Sequence, residues 1–149
     1  MIENNKNQII LAIDTYGADG GESVVIDGCD YIANQLNVFF IFVGNKSLIT
    51  PLINKSKYLR YYNIINTLDY IEANTKGSDA LRSGKESSMR IAVDLVKDGK
   101  ADAVISAGNT GALLAISYIV LRTIDGLIPN ISADLLIILS SSTSRTLSA

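Results

Sequence analysis

The sequence predicts a doubly wound α/β fold with a mostly parallel sheet, and three observations carry that expectation. Short apolar runs recur along the chain, most of them followed by a segment with helical spacing. The runs are apolar throughout rather than alternating, as strands are when both faces of their sheet are covered. Glycine-bearing loops follow two of them, at the sheet edge where open parallel sheets bind ligands. At 149 residues, 48% hydrophobic, the chain is long enough for one compact domain or for part of a larger one.

The first run, "QIILAID", is a strand that stops at the turn glycines of "TYGADGG". From Glu22 to Leu36, Val25, Ile26, Cys29, Ile32, Ala33 and Leu36 recur at spacings of three and four, which predicts a helix over that stretch. "VFFIFVG" is the second strand and "KSLITPLINKS" a short helix, provided that Pro51 falls in its first turn. "YYNIINT" is a third, poorer strand. The polar stretch Glu72 to Ser88 reads as a long loop with at most one helical turn. Met89, Ala92, Val93 and Val96 then follow helical spacing, with Ser87 or Ser88 as N-cap and Gly99 as terminator. "ADAVIS" is the next strand, and Asn109 caps the apolar helix after it. "DLLIIL" is a last strand before a serine- and threonine-rich end.

Composition removes several classes of function. Charged residues make up 19% of the chain and the formal net charge is -2, so no nucleic-acid surface is expected. With one cysteine and no histidine, an intrachain disulfide, a thiolate metal cluster, the usual zinc sites and Ser-His-Asp or Cys-His catalysis all drop out. No metal or cofactor is expected, and Cys29 reads as a small buried thiol. "MIENNKNQ" lacks the pattern of a secretory signal, and "GALLAISYIVL" is too short to span a membrane. A cytoplasmic protein is the expectation.

Any chemistry must therefore use backbone amides, hydroxyls, carboxylates and cations, and three segments supply them. In "SAGNTGA", Gly108 and Gly111 admit close backbone approach. Ser106, Asn109 and Thr110 add donors at a helix start, whose free N–H groups favour a phosphate or an oxyanion. The same residues also suit a plain capped turn. "LRSGKESSMR" gathers Arg82, Lys85 and Arg90 around Ser87 and Ser88, either as an anion site or as a solvated loop with a serine cap. "DTYGADGG" places Asp14 at a strand end and Asp19 in the loop, and Gly17, Gly20 and Gly21 do not form a dinucleotide fingerprint. Neither carboxylate suits direct contact with phosphate.

With "AIDTYGAD", "IFVGNKSLITPLI", "SDALRSGKESSMRIAVDLVKDGKADAVISAGNTGALLA" and the weaker "LRTIDGL" in this order, the chain resembles the bacterial phosphate acyltransferases of phospholipid synthesis from about Ile9 to about Gly126. The resemblance implies a Rossmann-like fold related to phosphate acetyltransferases and isocitrate dehydrogenases. It also implies transfer of an acyl group from acyl-(acyl-carrier-protein) to inorganic phosphate, a homodimer and peripheral membrane association. On that basis Lys85, Arg82, Ser87 and Ser88 hold phosphate. Asn109, Thr110 and the amides near Gly108 and Gly111 stabilise the oxyanion or share the phosphate, and Ser106 binds phosphate. Lys85 is counted with Asn109 and Thr110 as catalytic, and the two loops can exchange roles. Asp14, Gly17 and Asp19 match the family's amino-terminal acidic-glycine motif and belong to site architecture.

The sequence departs from the family pattern in three places. Gly17, Ala18, Asp19 stand where the family has two glycines before its second aspartate, so Ala18 is expected to crowd a loop that needs positive φ. Gly20, Gly21 and Glu22 replace a small residue and proline. From about Ile131 the family pattern is lost, so residues 1–130 read as the amino-terminal part of such a domain and 131–149 as a divergent tail. The sheet is then expected to be incomplete at its C-terminal side and to expose apolar surface. Two competing readings are a truncated, inactive remnant of that enzyme and a small phosphate- or nucleotide-binding interaction module.

Overall fold

Successive side chains of a strand point to opposite faces of its sheet, and in this protein each face has its own apolar core. In the computed structural model, which describes residues 8–121 and 138–139, β1 (Ile9–Asp14) sends Ala12 to one face and Ile13 to the other. The second strand, β2 (Val38–Gly44), divides in the same way, Ile41 and Val43 against Phe40 and Phe42. This is why the strands read as unbroken apolar runs.

The helices α1 (Glu22–Ala33) and α2 (Lys46–Ile53) cover one face, burying Ile26, Cys29, Ile49 and Ile53 against Phe40 and Phe42. After β3 (Tyr62–Asn66) the chain crosses to the other face. There α3 (Gly77–Ser83), α4 (Ser88–Lys97) and α5 (Thr110–Leu121) pack, with β4 (Ala103–Ser106) between α4 and α5 in sequence. A two-residue strand, β5 (Ile138–Leu139), completes the order β3-β2-β1-β4-β5. The four longer strands are parallel and β5 pairs antiparallel with β4. The fold is thus the expected doubly wound, Rossmann-like α/β sheet. Strand order reverses between β1 and β4, the crevice where such sheets bind ligands.

Four local expectations are corrected. The first helix ends at Ala33, and Leu36 lies beyond it, 55% exposed. Ile9 and Val38 are register partners, so the chain must turn by Asn37 to start β2 level with β1. Pro51 sits in the second turn of α2, not the first. The carbonyl that loses its helical partner there belongs to Ser47, an exposed residue, so the loss falls on the solvent side of the helix. The stretch expected to be a loop contains α3, whose Gly77 lets it lie close to α5: a Cβ there would come within 3.1 Å of Ala115 Cβ and of the Gly111 carbonyl oxygen. In the β1–α1 loop the positive φ values fall on Gly17 (90°) and Gly21 (71°), while Ala18 accepts the Gly21 N–H at its carbonyl. Ala18 therefore closes the turn without the strain expected of it.

Cys29 is buried, and burial pushes its thiol up to about 12, which leaves it an inert core residue. On the α2–β3 side, Asp30 accepts the backbone N–H groups of Lys57, Tyr58 and Leu59 at 2.6–3.1 Å. Those bonds fix the turn that delivers β3 to the sheet. Among the described residues no helix is long and apolar enough to cross a membrane. The expectations placed on residues 1–7 and 122–137, and on the tail other than 138–139, lie outside the described residues.

Candidate functional site

The three segments singled out by sequence meet at the crevice between β1 and β4. Asp14 ends β1 with Val43 and Ser106 as its register partners on the two neighbouring strands, and it is 2% exposed. Ser88, the first residue of α4, donates its hydroxyl to Asp14 Oδ1 at 2.5 Å. Ser106, the last residue of β4, donates to Oδ2 at 2.7 Å, and the Tyr16 N–H reaches Oδ1 at 3.3 Å. Burial pushes the Asp14 carboxyl above the ordinary carboxylate value, and these three donors draw it partly back. One carboxylate thus joins three loops that lie 74 and 92 residues apart along the chain.

Backbone closes the same junction. Gly17 lies so near Gly108 that a Cβ on Gly17 would sit 2.5 Å from Gly108 Cα. The Gly108 N–H donates to Ser106 Oγ at 3.1 Å. Asn109 caps α5 by accepting the Ala112 N–H at Oδ1, and its Nδ2 lies 2.8–3.1 Å from the carbonyls of Glu72, Ala73 and Thr75. Two protons are shared among three acceptors. Asn109 therefore ties the β3–α3 loop to the start of α5. An Asn109→Asp variant keeps the cap but sets a carboxylate against three carbonyls, whereas Asn109→Ala loses both. In each, amide exchange over 72–75 is expected to accelerate about 10- to 100-fold. Exchange at the first turn of α5 should rise only in the alanine variant.

The hydroxyls assigned to phosphate by sequence are largely engaged with protein. Ser87 caps α4 by accepting the Arg90 N–H, and it donates to the Gly84 carbonyl at 2.6 Å. Ser88 and Ser106 both donate to Asp14. Arg90 is paired with Asp94 one turn along its own helix. Still facing solvent are Arg82 in the last turn of α3, Lys85 in the turn before α4, and Thr110 and Gly111 at the start of α5. The first N–H groups of a helix have no intrahelical partner, so those of Thr110 and Gly111 point out of its end. Arg82 and Lys85 engage no ion-pair partner among the described residues. Asp19 is exposed on the β1–α1 loop.

Sequence reasoning missed the outer wall of this rim. Tyr16 stacks on Tyr70 with ring centroids 4.9 Å apart, and its phenol is pushed up by burial and by the negative charge of nearby Glu22, Asp14 and Asp69. Thr67 donates to the Glu86 carbonyl and so holds the Lys85 turn against the end of β3. Beside it opens a cleft of about 480 Å³, lined by Leu68, Tyr70, Ile71, Thr75, Ala80 and Gly84 among others. The sequence marks only Leu68, Tyr70 and Ile71 among these positions, as apolar residues within the polar stretch "NTLDYIEANT".

Comparison with known proteins identifies the family. The family model described as "Fatty acid synthesis protein" matches residues 9–137, past Gly126 and into the segment set apart above as 131–149. A phosphate acyltransferase of Rhodospirillum centenum is 40% identical over 119 residues, 78% of this chain and 34% of that relative. One from Polynucleobacter asymbioticus is 41% identical over 121 residues, 79% of this chain and 36% of the relative. One from Wolbachia sp. subsp. Drosophila simulans is 40% identical over 137 residues, 88% and 39%. The chain spans about a third of the length of the curated relatives it matches.

Proposed function

This chain belongs to the fatty acid synthesis protein family, and on that premise we propose that it carries the phosphate-holding part of a phosphate acyltransferase. The substrates are inorganic phosphate and an acyl thioester on acyl carrier protein. A phosphate oxygen attacks the thioester carbonyl carbon, the new C–O bond forms, and the C–S bond breaks through a tetrahedral oxyanion. The proton carried by the phosphate ends on the departing thiol. Phosphate is itself the nucleophile, so the protein's tasks are to hold it and to stabilise the developing charge.

The supporting observation is the convergence of three loops on Asp14, which sets two solvent-facing cations and an open helix start on one rim of the sheet. Lys85 and Arg82 offset the charge of phosphate. Thr110, with its own amide and that of Gly111, takes a phosphate or thioester oxygen. Ser87, Ser88, Ser106, Gly108 and Asn109 stand behind these groups and fix the loops, with Gly17 and Asp19 in the loop that packs against them.

The test is acyl-phosphate formation by the 149-residue chain from acyl-(acyl-carrier-protein) and phosphate, alongside calorimetric titration with phosphate. Turnover with phosphate binding supports the full reading. Phosphate binding without turnover makes this chain the phosphate-holding piece of an enzyme whose thioester half lies elsewhere. A folded chain that does neither refutes the proposal.

A further inference from the structure

Among the described residues Asp14 is the one buried carboxylate on the rim, and the chemistry above gives it no contact with substrate. Facing it are Ser88 from α4, Ser106 from β4 and the Tyr16 amide from its own loop, with Val43 of β2 as its register partner and no cation among the described groups that set its protonation. A buried carboxylate without a cation is costly, so fold stability by itself does not call for one here.

What the carboxylate supplies is direction. Each of its two oxygens accepts from one serine, so both serine protons point at it. The lone pairs of Ser106 are thereby turned toward the Gly108 N–H, and Gly108 immediately precedes the cap of α5. Ser88 is drawn in from the other side, three residues after Lys85. An amide at position 14 can accept from only one of the two hydroxyls and turns an N–H toward the other, which then loses its direction.

We infer that Asp14 is a positioning residue: through Ser106 and Ser88 it orients the start of α5 and the Lys85 turn toward a common anion. The inference rests on the phosphate-holding reading above, and its test separates the two. The full chain, its Asp14→Asn, Ser106→Ala and Ser88→Ala variants, and the Asp14→Asn/Ser106→Ala double variant are titrated with inorganic phosphate. Their thermal unfolding and the Gly108 amide resonance are recorded without ligand.

Asp14→Asn is expected to unfold within a few degrees of the wild type yet to bind phosphate about tenfold more weakly. Its Gly108 resonance should shift, and adding Ser106→Ala should weaken binding no further, because both changes cut one link. Equal phosphate affinity in wild type and Asp14→Asn overturns the inference, as do additive losses in the double variant. If the wild type binds no phosphate, the functional reading falls. The unliganded Gly108 resonance still decides Asp14, and an unchanged resonance overturns its role at the β4–α5 corner. Should Asp14→Asn fail to fold, the serine variants keep the charge and carry the test. Each is expected to weaken phosphate binding, and unchanged affinity in both overturns the inference.

Discussion

Gly17→Ala is expected to lower stability by about 2–4 kcal/mol, combining the strain of an L-residue at φ 90° with the overlap of its Cβ and Gly108 Cα. For a chain of this size that corresponds to a fall of roughly 5–15 °C in melting temperature. The neighbour cannot yield like a flexible side chain, because the contact is with backbone. The β1 and β4 loops must part, and phosphate binding should weaken with them. Gly21→Ala is the control: φ there is 71° but a Cβ would meet nothing within 4 Å. Its cost should be only the backbone strain, about 1–2 kcal/mol, with the loops still in contact. Equal losses from the two variants would remove the Gly17–Gly108 contact as the cause.

Arg82→Ala and Lys85→Ala should behave in the opposite way. Both residues are exposed and engage no ion-pair partner among the described residues, so melting temperature is expected to stay within a degree or two. Each should weaken phosphate binding by about tenfold, and the pair by roughly 100-fold unless the two cations share one phosphate oxygen. The wild-type affinity should fall with added salt, and each variant should flatten that dependence. Arg90→Ala tests whether position or mere charge matters. Arg90 is held by Asp94 on its own helix, so its loss should leave phosphate affinity nearly unchanged. An effect equal to that of Lys85→Ala would mean that net charge alone governs binding.

The elements of the core were legible in the sequence. The β2 bounds fell where "VFFIFVG" ended, and the Asn109 cap, the Gly99 stop and a serine cap at 87 or 88, which the structure places at Ser87, were read from residue type alone. Such features are local: a cap, a left-handed glycine or a period of 3.6 is written within a few residues of where it acts. The misreadings came where a distant partner overrode the local signal. Leu36 has helical spacing, but strand register ends the helix before it. The polar stretch of 72–88 shows no helical stripe, because α3 buries mainly Ala80 and rests its glycine on α5.

The candidate site divides along the same line. The sequence by itself determined which chemistry is open to this protein, since a chain with no histidine and one buried cysteine must work with cations, hydroxyls and amides. It also determined the family and the three segments that supply the candidate site. Only the tertiary structure decided which of those groups stay open to solvent. Ser87, Ser88, Ser106 and Asn109 look like ligands in one dimension, but a hydroxyl has a single proton and an amide two. In the folded chain those protons are already directed at Gly84, Asp14 and the 72–75 carbonyls, through contacts up to 92 residues apart that no local pattern encodes.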